Sequence, residues 1–289
     1  MTRRMDGTKF DKDRMYATIR DFRKKMDAGR FCLGAAITLS DPAVTEALGG
    51  NVDFYWIDLE HTPLGLETLQ AHLIAARAVE VPALVRVPGA EVWFIKRVLD
   101  TGAPGIIVPQ VRSVAEVKMV VDACRYKPLG DRGYGPRRAC NYGQETEPYI
   151  KSSNQDLFVA VQIENIDGLR EFDEIVKVRG LDSIVVGPYD LSASMGLMGQ
   201  VTHREVTGAI ERVIKTARAH GLYVGMGGGS QLDDALRAAE MGVQWLQAGS
   251  DFGYMIQSVK QQFERIAEKV PACQPGRKIS AAGANAGPV

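Results

Sequence analysis

The feature that most constrains the fold is a rhythm. Eight short β-rich runs recur along the chain, at residues 32–38, 53–59, 82–87, 104–108, 157–163, 181–187, 222–226 and 243–248. Helical patterns fill 65–79, 113–125, 204–220 and 231–241 between them, one leads at 13–28, and one follows the last run at 252–268. The runs are largely apolar, as expected of strands buried on both faces of a parallel sheet. β-α units in series give such a sheet, and eight is the number that closes into a (β/α)₈ TIM barrel. An open, doubly wound sheet usually carries a Gly-rich phosphate-binding turn after its first strand. Here the first run is followed by Leu39-Ser40-Asp41-Pro42, which offers none. The 289 residues therefore predict a single α/β domain with its barrel at about 28–270.

Two segments break the rhythm. Residues 126–155 form a long, polar, Gly-rich insertion between the fourth and fifth runs; a loop of this length in a barrel is expected to be functional or disordered. The tail after about 270 is rich in Ala, Gly and Pro, a composition that predicts disorder.

Several function classes are disfavoured. The 35 basic and 35 acidic residues cancel, whereas nucleic-acid binding normally needs a basic excess. Arg137-Arg138 is the one basic hint, and reads as a loop or substrate-anion contact. The N-terminus has no apolar run after its basic residues, so no signal peptide is expected. No stretch approaches the roughly 20 apolar residues of a membrane span. The four cysteines, Cys32, Cys124, Cys140 and Cys273, lie far apart, against structural zinc or a disulfide framework. The expectation is a soluble cytoplasmic protein.

In barrels of this kind chemistry sits at the C-terminal ends of the strands. The second run ends Asp58-Leu59-Glu60-His61, the third carries Arg86, the fifth ends Gln162-Ile163-Glu164, and the sixth leads into Gly187-Pro188-Tyr189-Asp190. Adjacent strands lie about 4.8 Å apart, so Glu164 and Asp190 can converge. Two close carboxylates need a cation or a proton between them. Their oxygens suit Mg²⁺ or Mn²⁺, although each could instead cap the following helix. His61 is either an acid/base group titrating near neutrality or a histidine satisfied within its loop. Arg86, inside an apolar strand, needs a partner: an internal acid such as Glu60, or an anionic ligand. His72, His203 and His220 fall on or beside helical patterns and read as surface residues. Together a base, a cation and two carboxylates on one rim point to a 2-oxo acid held while a proton or a carbon–carbon bond moves.

These motifs resemble the HpcH/HpaI aldolase family across about residues 28–268. The pieces are Ile57-Asp58-Leu59-Glu60-His61, Val85-Arg86-Val87-Pro88, the stretch 98–111, the run 132–143 with its Arg-Gly-Tyr-Gly-Pro start, Gln162-Ile163-Glu164, and Gly187-Pro188-Tyr189-Asp190-Leu191-Ser192. The resemblance implies a barrel of the phosphoenolpyruvate/pyruvate-binding type and a class II aldolase that cleaves a 4-hydroxy-2-oxo acid to pyruvate and an aldehyde. It implies Glu164 and Asp190 as ligands to Mg²⁺, Mn²⁺ or Co²⁺. Arg86 would stabilise the enolate oxygen, Gln162 would support the substrate, and the backbone around Tyr189 and Asp190 would hold its carboxylate. His61 would be the acid/base, oriented by Asp100, from a neighbouring subunit in one version. The resemblance also implies a homo-oligomer, a hexamer built as a trimer of dimers with exchanged last helices, and a 130–143 loop near the active site.

Tyr189 stands where the family has a small residue, and the loops 227–230 and 247–250 also depart from its pattern, so the aldehyde does not carry over. The residues themselves favour the metal route. A Schiff-base aldolase needs a lysine, yet no lysine lies in any of the eight runs; Lys96, Lys118 and Lys177 fall on helical patterns. Competing expectations are decarboxylation or carbon–carbon bond formation on the same enolate, and a non-catalytic ligand-binding barrel.

Overall fold

Eight parallel strands close on themselves in sequence order in the computed structural model, which describes residues 15–229 and 231–270. The strands are β1 (Cys32–Ile37), β2 (Phe54–Asp58), β3 (Ala83–Arg86), β4 (Gly105–Val108), β5 (Phe158–Ile163), β6 (Ser183–Val186), β7 (Tyr223–Gly227) and β8 (Trp245–Ser250). The helices are α1 (Ala17–Asp27), α2 (Pro42–Leu48), α3 (Leu66–Ala78), α4 (Val92–Asp100), α5 (Val114–Cys124), α6 (Thr146–Asp156), α7 (Ile166–Arg170), α8 (Phe172–Ile175), α9 (Pro188–Ser194), α10 (Arg204–Ala219), α11 (Leu232–Glu240) and α12 (Asp251–Lys269). The eight runs read from the sequence are these eight strands, each trimmed or shifted by a residue or two. The turn after β1 is a helix cap: the Asp41 carboxylate accepts from the Ala43 N–H and Pro42 starts α2. The tail expected to be disordered, Ser230, and the first two residues of the leading helical pattern lie outside the described residues.

Strand residues alternate between two cores, because successive side chains point to opposite faces. One set, with Ile57, Val85, Ile106 and Val161, packs outward against the helices. The other, with Phe54, Trp56, Leu84, Ile107, Phe158, Ala160, Val185 and Trp245, fills the barrel. Ile19, Phe22 and Met26 of α1 join this inner set and plug the N-terminal end. The Phe22 ring sits 5.4, 5.8 and 6.3 Å from those of Phe54, Phe158 and Trp245. The large Trp245 ring fits because Gly225 faces it on β7; a Cβ there would collide with the indole.

Two expectations are corrected. The 126–155 insertion is not all loop, because its last part forms α6. It joins the end of α5 to the start of β5, which places it at the N-terminal end of the barrel, opposite the catalytic rim in the same chain. Its Arg132 is buried, paired with Asp100 at 2.9 Å and bonded to Tyr149 and Ser153. Arg138 donates to the carbonyls of Thr101 and Leu73, and Tyr149 stacks on Tyr16 beside α1. The Gly-rich 130–143 loop therefore lies away from the C-terminal ends of its own chain's strands. Second, His72 is not at the surface. It is fully buried between α3 and α2, with Nδ1 2.8 Å from the Thr45 hydroxyl. His220 is exposed, as expected, while His203 is half-buried at the start of α10, where its ring accepts from the Glu205 N–H.

The last helix behaves differently from the others. Asp251 anchors its start by accepting from the backbone N–H groups of Thr38 and Leu39 at 2.8 and 2.9 Å. Beyond that, Asp251 is the one buried residue of α12, and Met255, Ile256, Val259, Phe263 and Ile266 are exposed.

Candidate active site

The inward face of the barrel changes character along its axis. On β2 it runs Phe54, Trp56, Asp58; on β3, Leu84, Arg86; on β5, Phe158, Ala160, Gln162, with Glu164 next in phase. Aromatic and aliphatic layers at the N-terminal end thus give way to an ionic layer at the C-terminal end. The register pairs Asp58 directly with Arg86 across β2 and β3.

Arg86 is the centre of this layer. Its Nε donates to Asp58 Oδ1 at 2.9 Å and its Nη2 to Asp58 Oδ2 at 2.6 Å, a bidentate fork. Its Nη1 lies 3.1 Å from Glu60 Oε2. The guanidinium carbon stands 5.3 Å from the centroid of the Trp56 ring below. Burial works against the guanidinium charge, but the hydrogen bonds and charge of Asp58, with Glu60 and Glu164 behind them, hold its proton more firmly than usual. The internal acid weighed for Arg86 is therefore two acids, Asp58 and Glu60. Asp58 also accepts from the Glu60 N–H at 3.0 Å and the His61 N–H at 3.4 Å, which fixes the turn after β2. His61 projects from that turn, 43% exposed, with Nε2 3.5 Å from Glu60 Oε2.

Glu164 is the most strongly perturbed acid of the layer. It is 2% exposed, and its Oε1 accepts from the Gln110 N–H at 2.8 Å. Gln110 presents that N–H from a left-handed backbone, φ 55°, unusual for a non-glycine residue and a mark of local strain. The Gln162 Nε2 donates to the other Glu164 oxygen. The Glu164 carboxyl is pushed up to about 8, by burial first, with the Gln110 bond opposing and the negative charges of Asp190 and Glu60 adding. Glu60 is likewise raised, by burial first, with Asp58 and Asp190 adding and Arg86 and His61 opposing. Gly187 is opposite Glu164 one step beyond the β5–β6 ladder, and a Cβ there would strike the Glu164 carboxylate and the Gln162 amide. Asp190 follows in the first turn of α9 and is exposed.

The structure thus brings Arg86, His61, Gln162, Glu164 and Asp190 to one end of the barrel. It does not bring Asp100 there. Asp100 ends α4, whose C-terminus faces the N-terminal ends of the strands, and its carboxylate is tied to Arg132. Within one chain His61 has Glu60 beside it, not Asp100. Tyr189 lines a neighbouring cleft of about 650 Å³ with Met226, the 227–229 glycines and Arg237. This cleft borders Asp190 through Tyr189, and no residue of the ionic layer lines it. Asp58 and Gln110 are the site residues the sequence reading did not assign. The first was legible, since it continues the inward phase of Phe54 and Trp56. Gln110 carried no such signal, because its part is played by a backbone N–H.

A carboxylate pair with oxygen donors alone fits a hard divalent cation. Glu164 lies deep in the cavity, where burial first, and then the charges of Asp190 and Glu60, work against its ionised form, a penalty that a cation would relieve. No group of three or more His, Cys, Asp or Glu side chains placed to hold a metal occurs among the described residues. The protein side of such a site would be two ligands, with room for substrate oxygens. No helix among the described residues is long and apolar enough to cross a membrane.

Comparison with known proteins gives a consistent picture. Residues 37–258 match the family model described as HpcH/HpaI aldolase/citrate lyase. The chain is 34% identical over 251 residues to a hydroxypyruvate/pyruvate aldolase of Roseovarius nubinhibens, covering 86% of this chain and 96% of that protein. It is 34% identical over 233 residues to the 5-keto-4-deoxy-D-glucarate aldolase of Escherichia coli K12, covering 80% and 91%. Among solved structures, an HpcH/HpaI aldolase/citrate lyase family protein from Burkholderia cenocepacia superposes with a TM-score of 0.80 at 28% identity, covering 85% of this chain and 98% of that one.

Proposed function

Because the chain belongs to the HpcH/HpaI aldolase/citrate lyase family, we propose that it is a metal-dependent class II aldolase cleaving a 4-hydroxy-2-oxo acid to pyruvate, or a close relative of pyruvate, and an aldehyde. The observation that carries this reading is the ionic layer: a guanidinium forked onto Asp58 at the same barrel end as a buried Glu164, whose two oxygens are held by the Gln110 N–H and the Gln162 amide, with Asp190 in the first turn of α9 that follows.

Glu164 and Asp190 hold the cation, Mg²⁺, Mn²⁺ or Co²⁺, which supplies Lewis-acid stabilisation of negative charge on the 2-oxo acid. Gln162 fixes the Glu164 carboxylate through its amide. The backbone at the start of α9 offers free N–H groups to the substrate carboxylate, as helix N-termini do. Arg86, rigidified by Asp58, directs its charge at the keto oxygen, where charge develops as the carbon–carbon bond breaks. His61, on the open side of the rim, takes the proton from the 4-hydroxyl. The aromatic plug beneath keeps this layer away from water on the N-terminal side. The absence of lysine from all eight strands favours the metal route over a Schiff base. The unpartnered apolar stripe of α12 supports a homo-oligomer, a hexamer in our reading, in which another copy covers that stripe; we read its location as cytoplasmic.

The test is pyruvate release from a panel of 4-hydroxy-2-oxo acids before and after exhaustive EDTA treatment. Activity should vanish on chelation and return with Mg²⁺, Mn²⁺ or Co²⁺. Full activity after chelation overturns the metal assignment; no pyruvate release from any member of the panel, with metal present, overturns the reaction.

A further inference from the structure

We propose that Trp56 is a positioning residue for the aldol step: the face of its indole holds the Arg86 guanidinium level at the mouth of the barrel, so that its charge stays aimed at the keto oxygen while the enolate forms. The inference rests on the aldolase reading above for the chemistry, though not for the contact.

Three observations carry it. The guanidinium carbon stands over the Trp56 ring, 5.3 Å from its centroid, inside the about 6 Å at which a cation is drawn to an aromatic face. Trp56 is 2% exposed, and such a contact strengthens where water is excluded. Second, one strand supplies two supports of different kinds. Trp56 and Asp58 are two residues apart on β2 and face the same way, and the register sets Trp56 beside Leu84 and Asp58 beside Arg86. Asp58 takes Nε and Nη2 along one edge of the guanidinium, and Nη1 turns to Glu60. These carboxylates fix the group at its edge. The indole closes one of its two faces and leaves the other for the substrate. Third, the ring is itself wedged. Its centroid lies 6.0 Å from that of Trp245, and its outer edge reaches toward Gly227 on β7, where an added methyl would stand 3.6 Å from the indole. The inner core of Phe54, Leu84, Ile107, Phe158 and Val185 packs with it. A ring held in this way is a rigid base for the charge above it.

With a small aliphatic side chain in its place, the guanidinium keeps its charge and its Asp58 fork but gains room to tilt. The keto oxygen, on which charge grows as the C3–C4 bond breaks, then loses an aligned partner.

The experiment compares the parent with Trp56→Leu, Trp56→Phe, Arg86→Ala and the double variant of Trp56→Leu with Arg86→Ala. Pyruvate release is measured with metal present, at temperatures where a thermal melt shows each protein folded. NMR of the Arg86 Nε–H, identified by its loss in Arg86→Ala, reports the ring current of the indole. That signal should lie upfield in the parent and lose the shift in Trp56→Leu. In Trp56→Leu kcat should fall about 5- to 30-fold with KM changed less than about threefold. Trp56→Phe, which keeps an aromatic face, should recover part of the loss. In the Arg86→Ala background, Trp56→Leu should cost less than about a further twofold, because its effect runs through the guanidinium. Losses that multiply in the double variant overturn the proposal. So does a Trp56→Phe as poor as Trp56→Leu, which would make the indole N–H the working group. A parent that releases no pyruvate sinks the aldolase reading, while the Nε–H shift and its loss in Trp56→Leu still decide the stacking.

Discussion

Arg86→Ala should cost this protein both stability and rate, and the two losses can be separated. The guanidinium makes two short hydrogen bonds to Asp58, at 2.9 and 2.6 Å, and faces Glu60 at 3.1 Å. Asp58 is 4% exposed, so its carboxylate would be left buried without a counter-charge. Breaking a buried pair by removing one partner costs about 3–5 kcal/mol, which lowers Tm by roughly 6–20 °C in a domain of this size. The catalytic loss comes from the charge aimed at the keto oxygen. Loss of one such group costs about 2.7–4 kcal/mol in the transition state, or about 10²- to 10³-fold in kcat. Arg86→Lys keeps the charge but cannot fork onto Asp58. Its stability loss should be nearer about 1–2 kcal/mol, one or two net hydrogen bonds, while kcat still falls at least about tenfold because the ammonium no longer holds a fixed direction. The assay is pyruvate release coupled to NADH oxidation, run at temperatures where a thermal melt shows each variant folded. Folded Arg86→Ala with kcat/KM within about threefold of the parent would refute the reasoning, because no charge placed over the keto oxygen could be so easily spared.

Other consequences are checked as directly. Gly187→Ala puts a methyl group onto the Glu164 carboxylate and the Gln162 amide; calorimetric Mn²⁺ binding should weaken at least about tenfold, and unchanged binding would remove Gly187 from the site. Burial lowers the pKa of His72 below the usual 6.5. The folded state therefore keeps the ring neutral while the unfolded chain protonates first, so the His72 contribution is complete above pH 6.5 and is lost as pH falls below it. In denaturant titrations the parent should lose up to about 1.4 kcal/mol per pH unit in that window, and His72→Gln should flatten the slope; an equal slope in both places the titration elsewhere. Arg132→Leu removes the partner of Asp100 at the N-terminal end. It should lower Tm while leaving the kcat of each folded, assembled enzyme within about threefold, and a kcat collapse without a Tm change would show that this end serves a neighbour's site.

The barrel itself was legible because eight apolar runs of strand length, separated by helical periodicity, leave few other ways to bury both faces. Glu164, Arg86 and His61 were legible because a charged residue at the end of an apolar strand is costly unless it does something. Asp58 was written in the same alternation yet went unassigned, since its part depends on cross-strand register with Arg86. Where the 126–155 segment sits in its own chain follows from topology and not from composition: a segment entering a strand lies at the opposite end from one leaving it, and buried Arg132 and Arg138 tie it there. His72 misled because its partner, Thr45, is 27 residues away, and the pattern of α3 alone does not reveal that contact.

The plug formed by α1 and the aromatic layer turns the barrel into a cup with one mouth. Whatever enters must leave the way it came, and depth then sets sequence. On the proposed aldol cleavage, a 2-oxo acid fragment seated against Glu164 at the floor could not depart past an aldehyde lying above it. Products should then leave in order, aldehyde first, and pyruvate should inhibit competitively against the cleaved acid while the aldehyde does not.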